Sequence, residues 1–251
     1  MPAAYDSFDY PSYWEGREYE HNSELIALRR LISLIPKIET LLEIGAGFGR
    51  LTPEYLYRAK RIILVDPSSK LLKIARANIK NKKVRFIQST MDNLTSKIKN
   101  NSADVILLIR VLHHIDDVDN AFKLIRRLLV DGGYFILEFP NKSHFKATFS
   151  EIFKGNITFP IDIFPREVKS KKIKKANVLP FKNYHPDQIA HKLHINGFSV
   201  IKKLSASNVR SSLLKKLLPL DTLIYLENHL QQPLSHINFG PSIFILAKKR
   251  A

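Results

Sequence analysis

The sequence LLEIGAGFGR, residues 41–50, joins a mostly apolar run to a glycine-rich turn, and a helix-start signal follows at Thr52-Pro53. A short apolar run bounded by turn residues predicts a buried strand. Glycines allow a positive φ and let a ligand approach the backbone closely. The stretch therefore predicts a ligand-binding turn at the carboxyl end of the first strand of an α/β sheet.

The spacing of the glycines excludes two common ligands. They stand at 45, 47 and 49, whereas a dinucleotide fingerprint requires the third at position 50, where Arg50 stands. No Gly-Lys-Ser/Thr sequence closes the turn, as a triphosphate-binding loop requires. The pattern thus disfavours NAD and nucleoside triphosphates.

Strand and helix patterns alternate along the chain. Apolar runs predict further buried strands at residues 61–65, 84–87, 105–109 and 134–138, and two more strands are predicted at 198–204 and 242–248. Helical patterns are predicted from Asn22 to just before Pro36 and at residues 52–58, 68–78, 120–129, 186–195 and 211–229. Such alternation predicts an α/β fold with a mostly parallel sheet and right-handed crossovers.

The predicted organisation is one catalytic-size domain with added segments. Residues 1–21 predict an irregular aromatic N-terminal arm, and residues 22–251 predict the α/β domain. Within the domain, the alternation breaks at about 141–183, which predicts a lid insertion, and at about 206–240, which predicts a helical insertion.

The composition excludes several chemistries. The chain has no cysteine, so disulfides, thiolate metal sites and cysteine nucleophiles are excluded. No apolar run approaches the length of a bilayer span, and the N-terminus lacks the basic and apolar pattern of a signal peptide. We therefore expect no transmembrane segment and a cytoplasmic location.

The net charge of +17 has several explanations. It suits nucleic acid, an anionic membrane or an acidic substrate, but a lysine-rich genomic bias would also produce it. The basic, phenylalanine-rich insertion suits a nucleic acid strand or a substrate lid with its lysines in water. Residues 211–218 are amphipathic and basic, which suits a membrane surface or, as the default, burial against the sheet.

Asp66 ends the second predicted strand. An acid at this place can accept hydrogen bonds from both hydroxyls of a ribose, as in other nucleoside-binding sheets. In the sequence Asp66-Pro67-Ser68 it can equally serve as a helix N-cap. The sequence leaves both roles open.

These features together resemble the class I S-adenosylmethionine (SAM)-dependent methyltransferases, and most closely their small-molecule branch, types 11 and 12. The resemblance rests on Glu43-x-Gly-x-Gly-x-Gly, on Asp66, on residues 103–114 and on the DGGYFI sequence at 131–136. It implies a Rossmann-like sheet of seven strands, mostly parallel, with a C-terminal antiparallel hairpin. Its expected cofactor is SAM.

The resemblance also implies roles for individual residues. Glu43 would order the loop near the methionine amino group, Asp66 would hold the ribose, and Arg110 and Arg17 would lie at the methionine end, Arg17 on its carboxylate. The adenine contact would come from the stretch around Thr90, Met91 and Asp92. The remaining implied cofactor contacts are Gly45, Ala46, Gly47, Gly49 and Pro67.

His113 and His114 follow the fourth predicted strand, and either is a candidate general base for the acceptor. Alternatively, one of them packs beneath the sheet as a structural histidine. Nearby Asp116, Asp117 and Asp119 could form a cation cluster, but a solvated helix start is the favoured use, and no metal is predicted.

The function expected from the sequence is methyl transfer from SAM to a small molecule. The alternatives are an RNA methyltransferase, favoured by the basic charge, and a SAM-binding partner protein without catalysis. The acceptor and the oligomeric state are not predicted.

Overall fold

The computed structural model describes residues 9–167 and 181–250. Residues 1–8 of the predicted arm and 168–180 of the predicted lid lie outside this range. The described helices are α1 (Glu18–Ile32), α2 (Ser69–Asn78), α3 (Val118–Leu128), α4 (Phe145–Phe153), α5 (Pro186–Ile195), α6 (Ser212–Leu217) and α7 (Leu220–Ser235). The strands are β1 (Ile38–Ile44), β2 (Ala59–Asp66), β3 (Val84–Gln88), β4 (Ala103–Leu108), β5 (Leu129–Pro140), β6 (Arg166–Glu167), β7 (Lys182–Asn183), β8 (Phe198–Ala206) and β9 (Ser242–Lys249).

Seven strands form one sheet in the order β3-β2-β1-β4-β5-β9-β8. The first five are parallel, and β9 runs antiparallel to both β5 and β8. The predicted mostly parallel sheet with a C-terminal antiparallel hairpin is therefore confirmed. Because the parallel strands share one carboxyl edge, the turns after β1, β2 and β4 lie side by side there.

The core lies on both faces of this sheet, as the unbroken apolar strands predicted. On one face, α3 and α5 cover the fully buried Phe135 and Phe198, and Phe122 of α3 packs against Phe135. On the other, α1 and α2 pack over residues such as Leu41 and Leu107.

Two helix predictions were wrong. The first helix begins at Glu18, four residues before the predicted Asn22, without a side-chain cap. Acidic Glu18 and Glu20 in its first turn complement the helix dipole. The segment predicted as a helix at 52–58 is only a 3-10 turn at Thr52–Glu54, because β2 already begins at Ala59 and leaves too few residues for a helix.

The helical insertion is fixed to the domain by one buried carboxylate. Glu227 of α7 is fully buried and accepts hydrogen bonds from the hydroxyls of Tyr19 (2.5 Å) and Ser23 (2.7 Å) on α1. It also accepts the backbone N–H groups of Ser207 (2.8 Å) and Asn208 (2.9 Å) after β8. Since a buried charge is stable only when its lone pairs are satisfied, this network sets the position of α7 on α1.

Candidate cofactor and methyl-transfer site

The glycine turn is tied to the end of β2 by its own backbone. The N–H groups of Gly45 and Ala46 both donate to the carbonyl of Val65, at 2.8 and 3.0 Å. The next N–H, that of Gly47, donates to a carboxylate oxygen of Asp66 at 2.8 Å. The turn and the acid that the sequence singled out are thus brought into direct contact.

Gly45 and Gly47 have φ values of +77° and +56°, in the left-handed region that favours glycine. A Cβ on Gly45 would stand 2.2 Å from a methyl group of Val111, so this glycine is required by packing within the protein. A Cβ on Gly47 would stand 3.8 Å from the Tyr10 ring, at ordinary contact distance. Gly47 is therefore less crowded than Gly45, with the Tyr10 ring of the arm at contact distance from it.

The second oxygen of Asp66 accepts the backbone N–H of Ser68 at 2.8 Å. The helix N-cap is Ser68 itself, whose hydroxyl accepts the N–H of Leu71 at 3.1 Å. Asp66 is therefore not the cap of α2 but a buried bridge between the glycine turn and the end of β2. An ionised carboxylate has about four lone-pair sites, so it can accept ligand hydroxyls as well as backbone N–H groups.

The stretch predicted to contact adenine follows β3. Thr90 and Asp92 are exposed, and Met91 is partly buried against the core. The Thr90 hydroxyl accepts the side-chain amide of Asn93 at 3.2 Å. The N–H of Ser89 donates to the backbone carbonyl of Asp66 at 3.1 Å, which places this stretch beside Asp66.

Sequence reasoning missed a charged cluster at the other end of the turn. Glu24 of α1 is 1% exposed and accepts hydrogen bonds from the guanidinium groups of Arg110, at 2.6 Å, and Arg50. Both guanidinium groups lie over the Trp14 ring, Arg50 at 3.5 Å and Arg110 at 4.6 Å from its centroid. Burial alone would raise the pKa of Glu24, but Arg110 and Arg50 hold it below its usual value.

Arg110 is held in an uncommon backbone conformation. Its φ is +59°, which costs energy for a residue with a side chain. Its N–H donates to the buried carboxylate of Glu138 at 2.8 Å. The indole N–H of Trp14 is buried and has no hydrogen-bond partner among the described residues. Two guanidinium groups and an unsatisfied donor fit an anionic ligand group such as the carboxylate of SAM.

Arg17, which was predicted to pair with that carboxylate, lies elsewhere in the arm. Its guanidinium group stacks on the Tyr13 ring, 4.1 Å from the centroid, and donates to the Tyr13 hydroxyl at 3.2 Å. Arg50 and Arg110 are therefore better placed for the role than Arg17. The arm itself covers the glycine turn, because Tyr10 contacts Phe48 edge-on.

Glu43 is hydrogen-bonded to the segment that follows the glycine turn. It is buried and accepts a hydrogen bond from the Tyr55 hydroxyl, which also lies 3.1 Å from the Thr52 hydroxyl. Burial raises the pKa of Glu43 to about 7, although the Tyr55 hydrogen bond opposes the shift. Glu43 thus anchors the 3-10 turn that follows the glycines.

We expect this carboxyl to make folding depend on pH. Because its folded pKa lies above the unfolded value, its contribution is present at low pH and is lost as the pH rises from about 4.5 to about 7. The free energy of unfolding of Glu43→Gln should fall less over this pH range. Relative to that of the wild type, it should rise by about 3 kcal/mol between pH 5 and pH 8. Chemical denaturation of both proteins at the two pH values measures the change, and parallel curves would contradict it.

His113 and His114 occupy a 3-10 turn after β4. The His113 ring is buried between His114 (centroids 4.0 Å apart) and Phe181 (4.2 Å). Burial, with His114 and Arg110, holds the pKa of His113 well below its usual value, so it is neutral at pH 7. His114 is half-buried. The geometry therefore suits His113 to packing and leaves His114 as the more accessible candidate base.

The three acids after these histidines form a helix cap and two ion pairs. Asp117 caps α3 by accepting the N–H of Asn120 at 2.9 Å. Asp116 pairs with Lys182 at 2.8 Å, and Asp119 pairs with Lys192. Within residues 9–167 and 181–250, no three His, Asp or Glu side chains gather in a way that could hold a metal ion.

The lid insertion forms a cavity of about 320 Å³ between α4 and the β6–β7 hairpin. Lys142, His144, Phe159, Arg166 and Asn183 are among the residues that line it. The amine of Lys142 is buried and is neutralised by Asp162 at 2.6 Å. Tyr184 follows Asn183, and its hydroxyl donates to the backbone carbonyls of Leu112 and Ile115, on either side of the two histidines. The cavity therefore lies next to the turn that carries His113.

Part of the chain is similar in sequence to known methyltransferases. Residues 42–137 match a family model described as a methyltransferase domain. The chain is 30% identical over 107 residues to a ubiquinone/menaquinone biosynthesis C-methyltransferase from Idiomarina loihiensis, covering 39% of this chain and 42% of that protein. It spans about half the length of the Mycobacterium relatives that it matches.

Solved structures share the fold over nearly the whole chain. A SAM-dependent methyltransferase from Thermotoga maritima has a TM-score of 0.63 at 20% identity and covers 98% of both chains. A didemethyltoxoflavin N1-methyltransferase from Burkholderia thailandensis, solved with its substrate and S-adenosylhomocysteine, has a TM-score of 0.59 at 16% identity, covering 96% of this chain and 85% of that one. The chain thus has the fold of SAM-dependent methyltransferases, and its residues 42–137 are similar to a methyltransferase domain. The cofactor of these methyltransferases is SAM.

Proposed function

We propose that this chain transfers the methyl group of SAM to a small-molecule acceptor. The observation that carries the proposal is the arrangement of the cofactor residues along one sheet edge. Asp66 links the glycine turn to the end of β2. Arg50, Arg110 and Trp14 lie together at the other end of the glycine turn. A ribose at Asp66 and a carboxylate at the arginine cluster would fix the two ends of one SAM molecule.

When bound, SAM supplies a methyl group that is already activated on a sulfonium. The task left to the protein is to hold the acceptor in line with the methyl–sulfur bond, since alignment supplies much of the rate. A side chain of the protein would also take up the proton that the acceptor loses. We assign His114 as the candidate base because His113 is enclosed by neighbouring rings.

The acceptor would bind under the lid insertion. The cavity there falls at the small end of the volumes usual for ligand pockets, which suits a compact acceptor. Phe159 offers an aromatic wall, and Arg166 lies over its ring at 5.7 Å. The relatives named above act on quinone precursors and on a toxoflavin precursor, which are small molecules, and this supports the same class of acceptor here.

Two measurements test this function. SAM or S-adenosylhomocysteine should raise the melting temperature, because a ligand that binds only the folded state stabilises it by mass action. Incubation with SAM and fractionated small-molecule extracts should then release S-adenosylhomocysteine in some fractions.

The alternatives have different outcomes. Turnover with RNA alone, and tight binding of RNA that weakens steeply with salt, would favour RNA methylation. Binding of SAM without turnover on any fraction would favour a non-catalytic partner protein. An unchanged melting curve at millimolar SAM would contradict the whole proposal.

A further inference from the structure

Helix α4 turns its apolar stripe toward solvent. Phe145, Phe149 and Phe153 are spaced four residues apart and are 54%, 53% and 75% exposed. Their rings stack along the helix, with centroids 5.9 and 4.5 Å apart. No residue of α4 is buried. An apolar stripe normally faces the core, so this helix has the orientation of one that binds something outside the protein.

Helix α6 repeats this arrangement. Leu213 and Leu217, also four residues apart, are 64% and 68% exposed, and none of its residues is buried. The default expectation that residues 211–218 pack against the sheet was therefore wrong. The physical reason is that Lys215 holds the helix to the domain, because its amine reaches Glu20 at 2.5 Å and lies over the Tyr19 ring. The leucines are left on the outer side.

Both helices begin beside the segment that precedes β9. The N–H of Phe145 donates to the carbonyl of Phe239 at 3.0 Å, and the two rings stack at 4.9 Å. The N–H of Gly240 donates to the Ser205 hydroxyl at 2.7 Å, and this hydroxyl donates to the Asn208 side chain at 2.6 Å, three residues before the N-cap of α6. We call the surface formed by Phe145, Phe149, Phe153, Leu213 and Leu217 the α4–α6 face.

The surroundings of this face are basic. The described segments 141–167 and 207–220 contain seven Lys or Arg and three acids. Two of the acids are already paired: Glu151 with Lys154 and Arg166, and Asp162 with Lys142. Lys142 and Lys215 are likewise neutralised by acids, so the positive charge beside the face comes from the exposed Lys146 and Lys216.

We propose that the α4–α6 face docks on an anionic phospholipid surface. Apolar side chains on a convex surface can enter the acyl boundary, while the flanking cations meet the anionic headgroups. A second copy of this chain is a poorer partner, because it carries the same charge of +17. Nucleic acid is also poorer, because exposed leucines have nothing to bind on a phosphate backbone. No helix within the described ranges is both long and apolar enough to span a bilayer, so the contact is interfacial.

Docking would bring the lid cavity to the lipid surface. His144 and Ala147, which line that cavity, stand at the start of α4. If the proposed methyl transfer is correct, an acceptor dissolved in the membrane would have a short route to the site. The docking itself is independent of that function, since it requires neither SAM nor acceptor.

Vesicle co-sedimentation of the full chain tests the proposal. The chain should sediment with phosphatidylglycerol vesicles and not with phosphatidylcholine vesicles, and added salt should weaken the association. Phe149→Ser combined with Phe153→Ser, and separately Leu213→Ser combined with Leu217→Ser, should each weaken partitioning about tenfold or more. All four positions are exposed, so the melting temperature should stay unchanged.

The matched control combines Ile195→Ser and Ile201→Ser, two aliphatic residues that are 58% and 50% exposed elsewhere on the surface. This control should bind vesicles like the wild type. Absence of binding to anionic vesicles at low salt would overturn the proposal. So would equal losses in the control and the face variants, or binding that survives both face variants. Self-association that the face variants abolish, without vesicle binding, would identify a second copy as the partner instead.

Discussion

Asp66→Ala is expected to weaken SAM binding by about 2 to 4 kcal/mol, roughly thirty-fold to several-hundred-fold. The loss arises because the variant removes two charge-assisted hydrogen bonds to the ribose hydroxyls. It also deprives the N–H groups of Gly47 and Ser68 of their acceptor. For this second reason we expect a stability loss of about 1 to 3 kcal/mol without ligand.

Ser68→Ala is the matched control for this experiment. It removes the N-cap of α2 two residues away and leaves the Asp66 carboxylate in place. The control should lose about 1 kcal/mol of stability and keep its affinity for SAM. Calorimetric titration and denaturation of both variants separate the two effects. Normal affinity in a folded Asp66→Ala protein would show that this acid is structural only.

Most of the fold could be predicted from the sequence because its signals are local. Apolar runs located six of the seven strands of the main sheet, since a strand covered on both faces needs no alternation. The strand β8 was predicted as well, although Ser199, Lys202 and Lys203 interrupt its apolar residues. Pro186 marks the first residue of α5 because proline fits the first turn of a helix without losing a hydrogen bond. The glycine turn and Asp66 were also predictable, because strand ends define the ligand edge of a parallel sheet.

The charged end of the site could not be predicted in the same way. Glu24 lies 26 and 86 positions from its partners Arg50 and Arg110, and within the sequence it is one acid of an ordinary amphipathic helix. The cluster exists only because α1 packs beside the turns after β1 and β4. The position of Arg17 in the arm made it a reasonable candidate to bind the carboxylate of SAM. Its guanidinium group stacks on the Tyr13 ring instead.

The exposed stripe of α4 was unpredictable for a different reason. Apolar residues at helical spacing predict that a face is covered, and they do so equally for a core and for an external partner. Only the packing of the chain distinguishes these cases. In α6, the ion pair of Lys215 with Glu20 places the lysine against the domain and leaves the leucines on the outer side.

Glu24→Gln is expected to destabilise the protein by about 2 to 4 kcal/mol at pH 7, because it removes the shared carboxylate of two partly buried cations. The glutamine keeps the shape and one acceptor oxygen, so the loss reports the charge. Arg50 and Arg110 would then lie over the Trp14 ring without the carboxylate that they share. Chemical denaturation at pH 7 measures the change.

The pH dependence of this variant gives an independent check. Since its partners lower the folded pKa of Glu24, the stabilisation is present above about pH 4.5 and is lost as the pH falls through the folded pKa. The difference between wild type and Glu24→Gln should therefore shrink in acid. Glu39→Gln, which breaks exposed pairs with Lys37 and Lys60, is the control and should change stability little. Equal stability of wild type and Glu24→Gln at pH 7 would mean that the two arginines are neutralised by something other than this buried carboxylate.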